Sequence, residues 1–187
     1  MNDHRVIFYE QQSDLVSQVT DFLAAGLEEG AACVVIATEA HRDAIATELG
    51  KRGLLGRQDA ASDRIYRALD ASETLAGYMA AGWPQAKKFM EIIEPVLVEA
   101  SQGGRKPLCL FGEMVAIEFE AGNREAAIRI EELWNALSAR HEFSLLCAYP
   151  IGQASKMRDY TSLIRVCAEH THATVPTGLW TLKHLTE

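Results

Sequence analysis

A single carboxylate, Glu113, follows directly on Pro-Leu-Cys-Leu-Phe-Gly, a continuous apolar run from Pro107 to Gly112 bounded by Pro and Gly. Such a run reads as a strand covered on both faces. Phe143 to Pro150 repeats the design and presents Tyr149 near its carboxyl end. Ligands of open parallel sheets bind outside the carboxyl ends of strands, so Glu113 and Tyr149 are expected to face one crevice. There Glu113 would accept a hydrogen bond from a ligand or act as a base. The plainer alternative is that it favours the positive end of the helix starting at Met114. Tyr9 and Glu10, at the exit of a strand from Val6 to Tyr9, reach the same rim if the strands are parallel. Otherwise Tyr9 is core and Glu10 is solvated.

Three further groups carry possible chemistry. Glu131-Glu132-Leu133-Trp134-Asn135 puts an indole one position beyond a filled apolar stripe, widening the buried face toward a cavity or simply packing. Cys167-Ala-Glu-His-Thr-His places His170 and His172 near a helix end, where they bind metal or sit beside helix-end carbonyls. The local sequence supplies no third ligand, and His4 and His41 cannot be placed from sequence, so no metal and no cofactor is expected. Cys33, Cys109, Cys147 and Cys167 lie far apart without paired spacing and read as small buried hydrophobes of a reducing cytoplasm. The turn after the first strand, Glu-Gln-Gln-Ser-Asp from Glu10 to Asp14, has no glycine and no lysine, so it is no phosphate-binding loop. Neither a Gly-x-Ser-x-Gly elbow nor a His-Glu-x-x-His helix occurs. Gly103-Gly104-Arg105-Lys106 precedes a strand and reads as a helix stop and turn.

The elements that must position these groups alternate along the chain. Leu15, Val19, Phe22, Leu23 and Leu27 define one helix face, closed by Gly30. Cys33 to Ala37 is a strand. Thr38 then caps a helix that turns Ile45 and Leu49 inward and ends at Gly53. Arg64 to Leu69 is a weaker strand, and Asp70 with Glu73 resembles a capping box ahead of Leu75, Tyr78 and Met79. Pro84 suits the first turn of a further helix with Phe89, Ile92, Ile93, Val96 and Leu97 on its face, and Pro95 should kink or split it. A short helical piece and a longer helix from Asn123, with Ala126, Ile130, Leu133 and Leu137 inward, separate the last two strands. Met157 to His170 reads as a final helix. The alternation predicts an α/β fold with a mostly parallel sheet and helices on both faces. We expect one domain over residues 1–175, with 176–187 as a terminal strand or tail.

Composition narrows the function. The 187 residues are 48% hydrophobic, enough for one well-buried core. A formal charge of −8 argues against a nucleic-acid interface. Apolar stretches reach about eight residues, far below the roughly 20 that span a bilayer, and the polar start is no signal peptide.

Taken in order, His4 to Glu10, the Val-Val-Ile-Ala-Thr ending at Thr38 with His41-Arg42, Leu69 to Leu75, Phe111 to Ala116, Glu132 to Asn135, Phe143 to Pro150 and Cys167 to His172 resemble the MEDS family, the methanogen/methylotroph sensory domain. The resemblance implies a RecA/KaiC-like three-layer sandwich that lacks the phosphate-binding loop, a sensory role toward small hydrocarbon derivatives, and no obvious ATPase. We therefore expect a non-enzymatic cytoplasmic sensor that binds a small organic molecule at the strand rim. Tyr9, Glu10, Thr38, His41, Glu113, Trp134, Tyr149 and His170 are the candidate ligand-binding residues. The signal would pass to a separate regulatory protein, such as a kinase or a transcription regulator, with a homodimer open. The rival readings are a partner-binding module using Trp83, Trp180 or the tail, and an enzyme with Glu113 as base or a residual nucleotide hydrolase.

Overall fold

The computed structural model describes residues 3–55, 65–150 and 160–174. Its frame is a six-stranded sheet built from β1 (Asp3–Tyr9), β2 (Ala32–Ala37), β3 (Tyr66–Asp70), β6 (Leu108–Gly112), β7 (Ser144–Pro150) and β8 (His172–Thr174). The spatial order is β3-β2-β6-β7-β1-β8, and every pairing is parallel. β2 is buried along its whole length, as its unbroken apolar sequence requires of a strand covered on both faces. All carboxyl ends therefore share one rim.

Two helical layers cover the sheet. On one face lie α1 (Gln12–Glu28) and α2 (Glu39–Lys51), burying Leu15, Val19, Leu23, Leu27, Ile45 and Leu49 against Val35 and Phe111. On the other lie α3 (Ala71–Tyr78), α4 (Ala86–Ala100), α5 (Met114–Glu120), α6 (Arg124–Ser138) and α7 (Tyr160–Ala168), around Phe89, Ile93, Ile130, Leu133 and Trp134. This is the three-layer α/β arrangement expected. Asp70 caps α3 by accepting the Glu73 amide at 3.0 Å, as the spacing predicts. Gly103 and Gly104 take φ of +71° and +86° in the turn that stops α4.

Two helix expectations need correction. Pro84 does not open α4. Ala81 and Gly82, with φ of 50° and 74°, reverse the chain so that β4 (Met79–Ala80) and β5 (Trp83–Pro84) form a short antiparallel hairpin, and the helix starts at Ala86. Pro95 does not split α4, which runs unbroken across it with the proline ring exposed. The short strand β8 was not anticipated. It pairs with β1 through Arg5 to Ile7. Residues 175–187, including Trp180, lie outside the described residues, as do 151–159 and with them the first three positions of the helix expected from Met157. No described helix is long and apolar enough to cross a membrane.

Close packing between α1 and the sheet supplies one expected result. A Cβ on Gly26 would lie 2.5 Å from Sγ and 3.1 Å from Cβ of Cys109, whereas one on Gly77 would meet only the Cδ1 tip of Ile92 at 2.7 Å. Gly26→Ala should therefore lower stability by about 1–3 kcal/mol through overpacking. Gly77→Ala should be near neutral, because Ile92 can turn aside and a helical glycine itself costs about 0.5–1 kcal/mol. Denaturant midpoints of the two variants check the contrast.

Candidate functional site

The rim brings Glu113 next to the start of α2. Its backbone N–H continues the β2–β6 ladder to the Ile36 carbonyl at 2.9 Å, which fixes where the side chain begins. Oε2 accepts the Thr38 amide at 2.7 Å, and Oε1 lies 2.5 Å from Nδ1 of His41. Glu113 thus sits at the amino end of α2, where the helix dipole and unpaired amides favour a carboxylate. Glu113 also stands at the N-cap position of α5, the helix starting at Met114, but its side chain makes no cap bond there and both carboxylate oxygens turn to Thr38 and His41.

His41 is held from three sides. Thr38 Oγ1 lies 3.1 Å from Nδ1, and Nε2 contacts Oε1 of Gln12. With a carboxylate on one ring nitrogen and an amide oxygen on the other, both nitrogens face acceptors, as an imidazolium requires. The Glu113 hydrogen bond raises the His41 pKa above its ordinary value of 6.5, with partial burial acting the other way. A raised histidine pKa stabilises the fold fully below about 6.5, and that contribution fades as pH climbs through the folded value. Replacing Glu113 by glutamine should bring the His41 titration down toward its ordinary value, as read from its ring-proton shifts. Tyr9 joins the cluster with its hydroxyl kept protonated, since burial first, then the charges of Glu113 and Glu120, push its pKa up.

From this cluster a groove of about 710 Å³ runs between α1 and α2. Val16, Ala40 and Ala44 give it apolar walls, Gln12, Thr38 and His41 form its rim end, and Glu48 and Arg52 lie along it. Arg52 bonds Asp21 across the two helices at 2.6 Å. Thr20, fully buried, lines the groove with a hydroxyl that has no hydrogen-bond partner among the described residues. A hollow with apolar walls and a few convergent polar groups is the usual form of a small-molecule site. A second recess of about 650 Å³, by Gly103 to Lys106 and His141, lies at the amino ends of β6 and β7, away from the rim cluster.

The eight candidate residues part company. Tyr9, Thr38, His41 and Glu113 meet at the rim, and Glu10 stands exposed beside them. Trp134 is 1% exposed and packs edge-on against Phe89 and Phe143, so it is core. The expectation that Tyr149 shares the Glu113 crevice is corrected. Alternation along β7 turns it onto the α6 face, fully buried, where its hydroxyl donates to Glu131 Oε1 at 2.7 Å.

Tyr149 belongs instead to a second polar cluster with His170, which the sequence had placed at the rim. Glu131 on α6 is 0% exposed and is surrounded by His4 of β1, Cys147 of β7 and His170 after α7. Burial alone would raise the Glu131 pKa, but the charges and hydrogen bonds of His170 and His4 hold it well below the usual carboxylate range. Burial, then the Glu131 charge, pushes Cys147 and Tyr149 up. His172 is not part of this group; its side chain is largely exposed and turns to Asp3 at 3.2 Å.

A family model described as MEDS, the methanogen/methylotroph, DcmR sensory domain, matches residues 3–171. No curated protein and no solved structure matches the chain significantly.

Proposed function

This chain belongs to the MEDS family, whose role is sensory, and from that premise we propose that it is a non-enzymatic domain that binds a small organic molecule in the groove between α1 and α2. The observation that carries the reading is the groove itself. It joins apolar walls to a polar end where His41 is fixed on Glu113, and it keeps one buried hydroxyl, Thr20, unpaired. A ligand with a short apolar body and one polar or polarisable group suits both parts. Its polar group would meet His41 or Thr20, and its body would displace water from Val16, Ala40 and Ala44.

Sensing requires that the ligand favour one of two states. Both helices start at the rim, and the polar end of the groove ties their amino ends together through Gln12 and His41. Occupancy would therefore bias the spacing of α1 and α2. The relay would be to a regulatory protein, for which Trp83 on the β4–β5 hairpin and Ile164 on α7, exposed by 43% and 60%, offer apolar contacts. A catalytic reading has less support, because the rim carboxylate is fully engaged by Thr38 and His41. Native mass spectrometry of the freshly purified protein, set beside its denatured mass, tests the proposal. A co-purifying mass lost in Thr20→Val and His41→Ala supports it, and a bound mass indifferent to both substitutions opposes it.

A further inference from the structure

The buried cluster on the opposite face of the sheet has the donor set and spacing of a metal centre. His4 Nε2 is 3.2 Å from Glu131 Oε2 and 3.5 Å from Cys147 Sγ, and Sγ is 3.2 Å from the same Oε2. His170 Nε2 lies 3.3 Å from the other carboxylate oxygen, and one donor atom from each of the four residues falls within 4.8 Å of all the others. Zinc bonds of about 2.0–2.1 Å to nitrogen and oxygen and about 2.3 Å to sulfur, at tetrahedral angles, need donors roughly 3.3–3.6 Å apart. Three edges of that tetrahedron already stand within a few tenths of an ångström of this.

The outer contacts orient the donors inward. Asn135 Nδ2 donates to the Glu169 carbonyl and carboxylate, which leaves Oδ1 to accept from Nδ1 of His4 at 2.9 Å. The Val166 carbonyl accepts from Nδ1 of His170 at 2.6 Å. Each ring therefore carries a proton on Nδ1 and turns Nε2 to the cluster, where it faces the Glu131 carboxylate in the ion-free protein and would present its lone pair to a bound ion. Tyr149 holds the remaining carboxylate oxygen. Such outer partners are what metal-ligating histidines and carboxylates require.

We propose that His4, Glu131, Cys147 and His170 bind one zinc ion, a site separate from the groove. As the ion binds, the Cys147 thiol proton and any imidazole proton held on Nε2 against Glu131 are released to solvent. Carboxylate and thiolate then neutralise the dication with both imidazoles neutral, so no net charge is left buried. The ion would join β1, β7 and α6 to the turn after α7.

Cobalt(II), a spectroscopic stand-in for zinc, is added to the chelator-treated full chain, either folded or during refolding. The expected result is one ion per chain with tetrahedral visible bands and a thiolate charge-transfer band, displaced by zinc. Cys147→Ser should remove the charge-transfer band, and Cys147→Ser and His170→Gln should each weaken binding at least tenfold. Circular dichroism verifies that both near-isosteric variants fold. No stoichiometric binding by either route, or binding and spectra that neither substitution alters, overturns the proposal.

Discussion

Glu131→Ala is expected to lower stability by about 3–5 kcal/mol in the presence of a chelator, the range for breaking a buried charged pair by removing one partner. The carboxylate is wholly buried in α6 and serves four groups at once: Tyr149, Cys147, His4 and His170. Its loss leaves a phenol and two imidazoles facing a cavity with no acceptor. Glu131→Gln keeps the volume and one amide oxygen, so it should cost less, about 1.5–3 kcal/mol, the worth of a hydrogen bond to a charged group. The neighbouring Glu132, half on the surface and paired with Arg129 at 2.7 Å, should change stability by no more than about 0.5 kcal/mol when replaced by alanine. Urea midpoints at constant m-value measure all three. Equal effects at the two positions would mean that Glu131 is hydrated in solution.

Glu113→Ala should be the most damaging single change for the sensory site. It leaves the Thr38 amide at the start of α2 without its acceptor and frees His41 from one of its anchors, at a cost of about 1–3 kcal/mol in stability. The larger consequence is positional. Without the carboxylate the His41 ring loses both its fixed orientation and the source of its raised pKa, so ligand affinity in the groove should fall at least tenfold, about 1.4 kcal/mol. Glu10→Gln is the natural control, since Glu10 is exposed on the same rim and should leave both affinity and stability within about 0.5 kcal/mol of the parent. Parallel losses in the two variants would point to the general negative charge of the rim rather than to the Glu113–His41 geometry.

Much of this frame was legible because two periodicities dominate the chain. The continuous apolar runs of β2, β6 and β7 announced strands buried on both faces, and the three-four spacing of Leu15 to Leu27 announced α1. From strand ends alone, Glu113 could be placed at the rim, and Thr38 at the N-cap position of the helix beside it, although its hydroxyl turns to His41 instead of capping α2. Side-chain direction was harder. Tyr149 stands at the carboxyl end of β7, but the alternation of a strand decides which face it serves, and that depends on which side α6 packs. The pair Glu131-Glu132 looks like a solvated helix face. Only the row Ala127, Glu131, Trp134, at steps of four and three, marks Glu131 as inward, and all three are buried. Two companions of Glu131, His4 and His170, come from opposite ends of the chain, and His4 bonds Asn135 of the same helix across 131 positions, a proximity no local pattern encodes. Pro84 misled because a proline fits a hairpin edge as well as a first helical turn, and the positive φ of Ala81 gives no signal in an alanine.

The sensory role proposed rests on a small organic ligand entering the groove between α1 and α2. Titrating the labelled protein with short alcohols, amines and organohalides while following backbone amide shifts tests it most directly. At least one compound should give saturable shifts concentrated at Gln12, Val16, Thr20, Thr38 and His41, and Glu113→Ala should abolish them. Saturable shifts that map instead to the Gly103–Lys106 turn or to the α7 surface, or none that saturate for any compound, would contradict it.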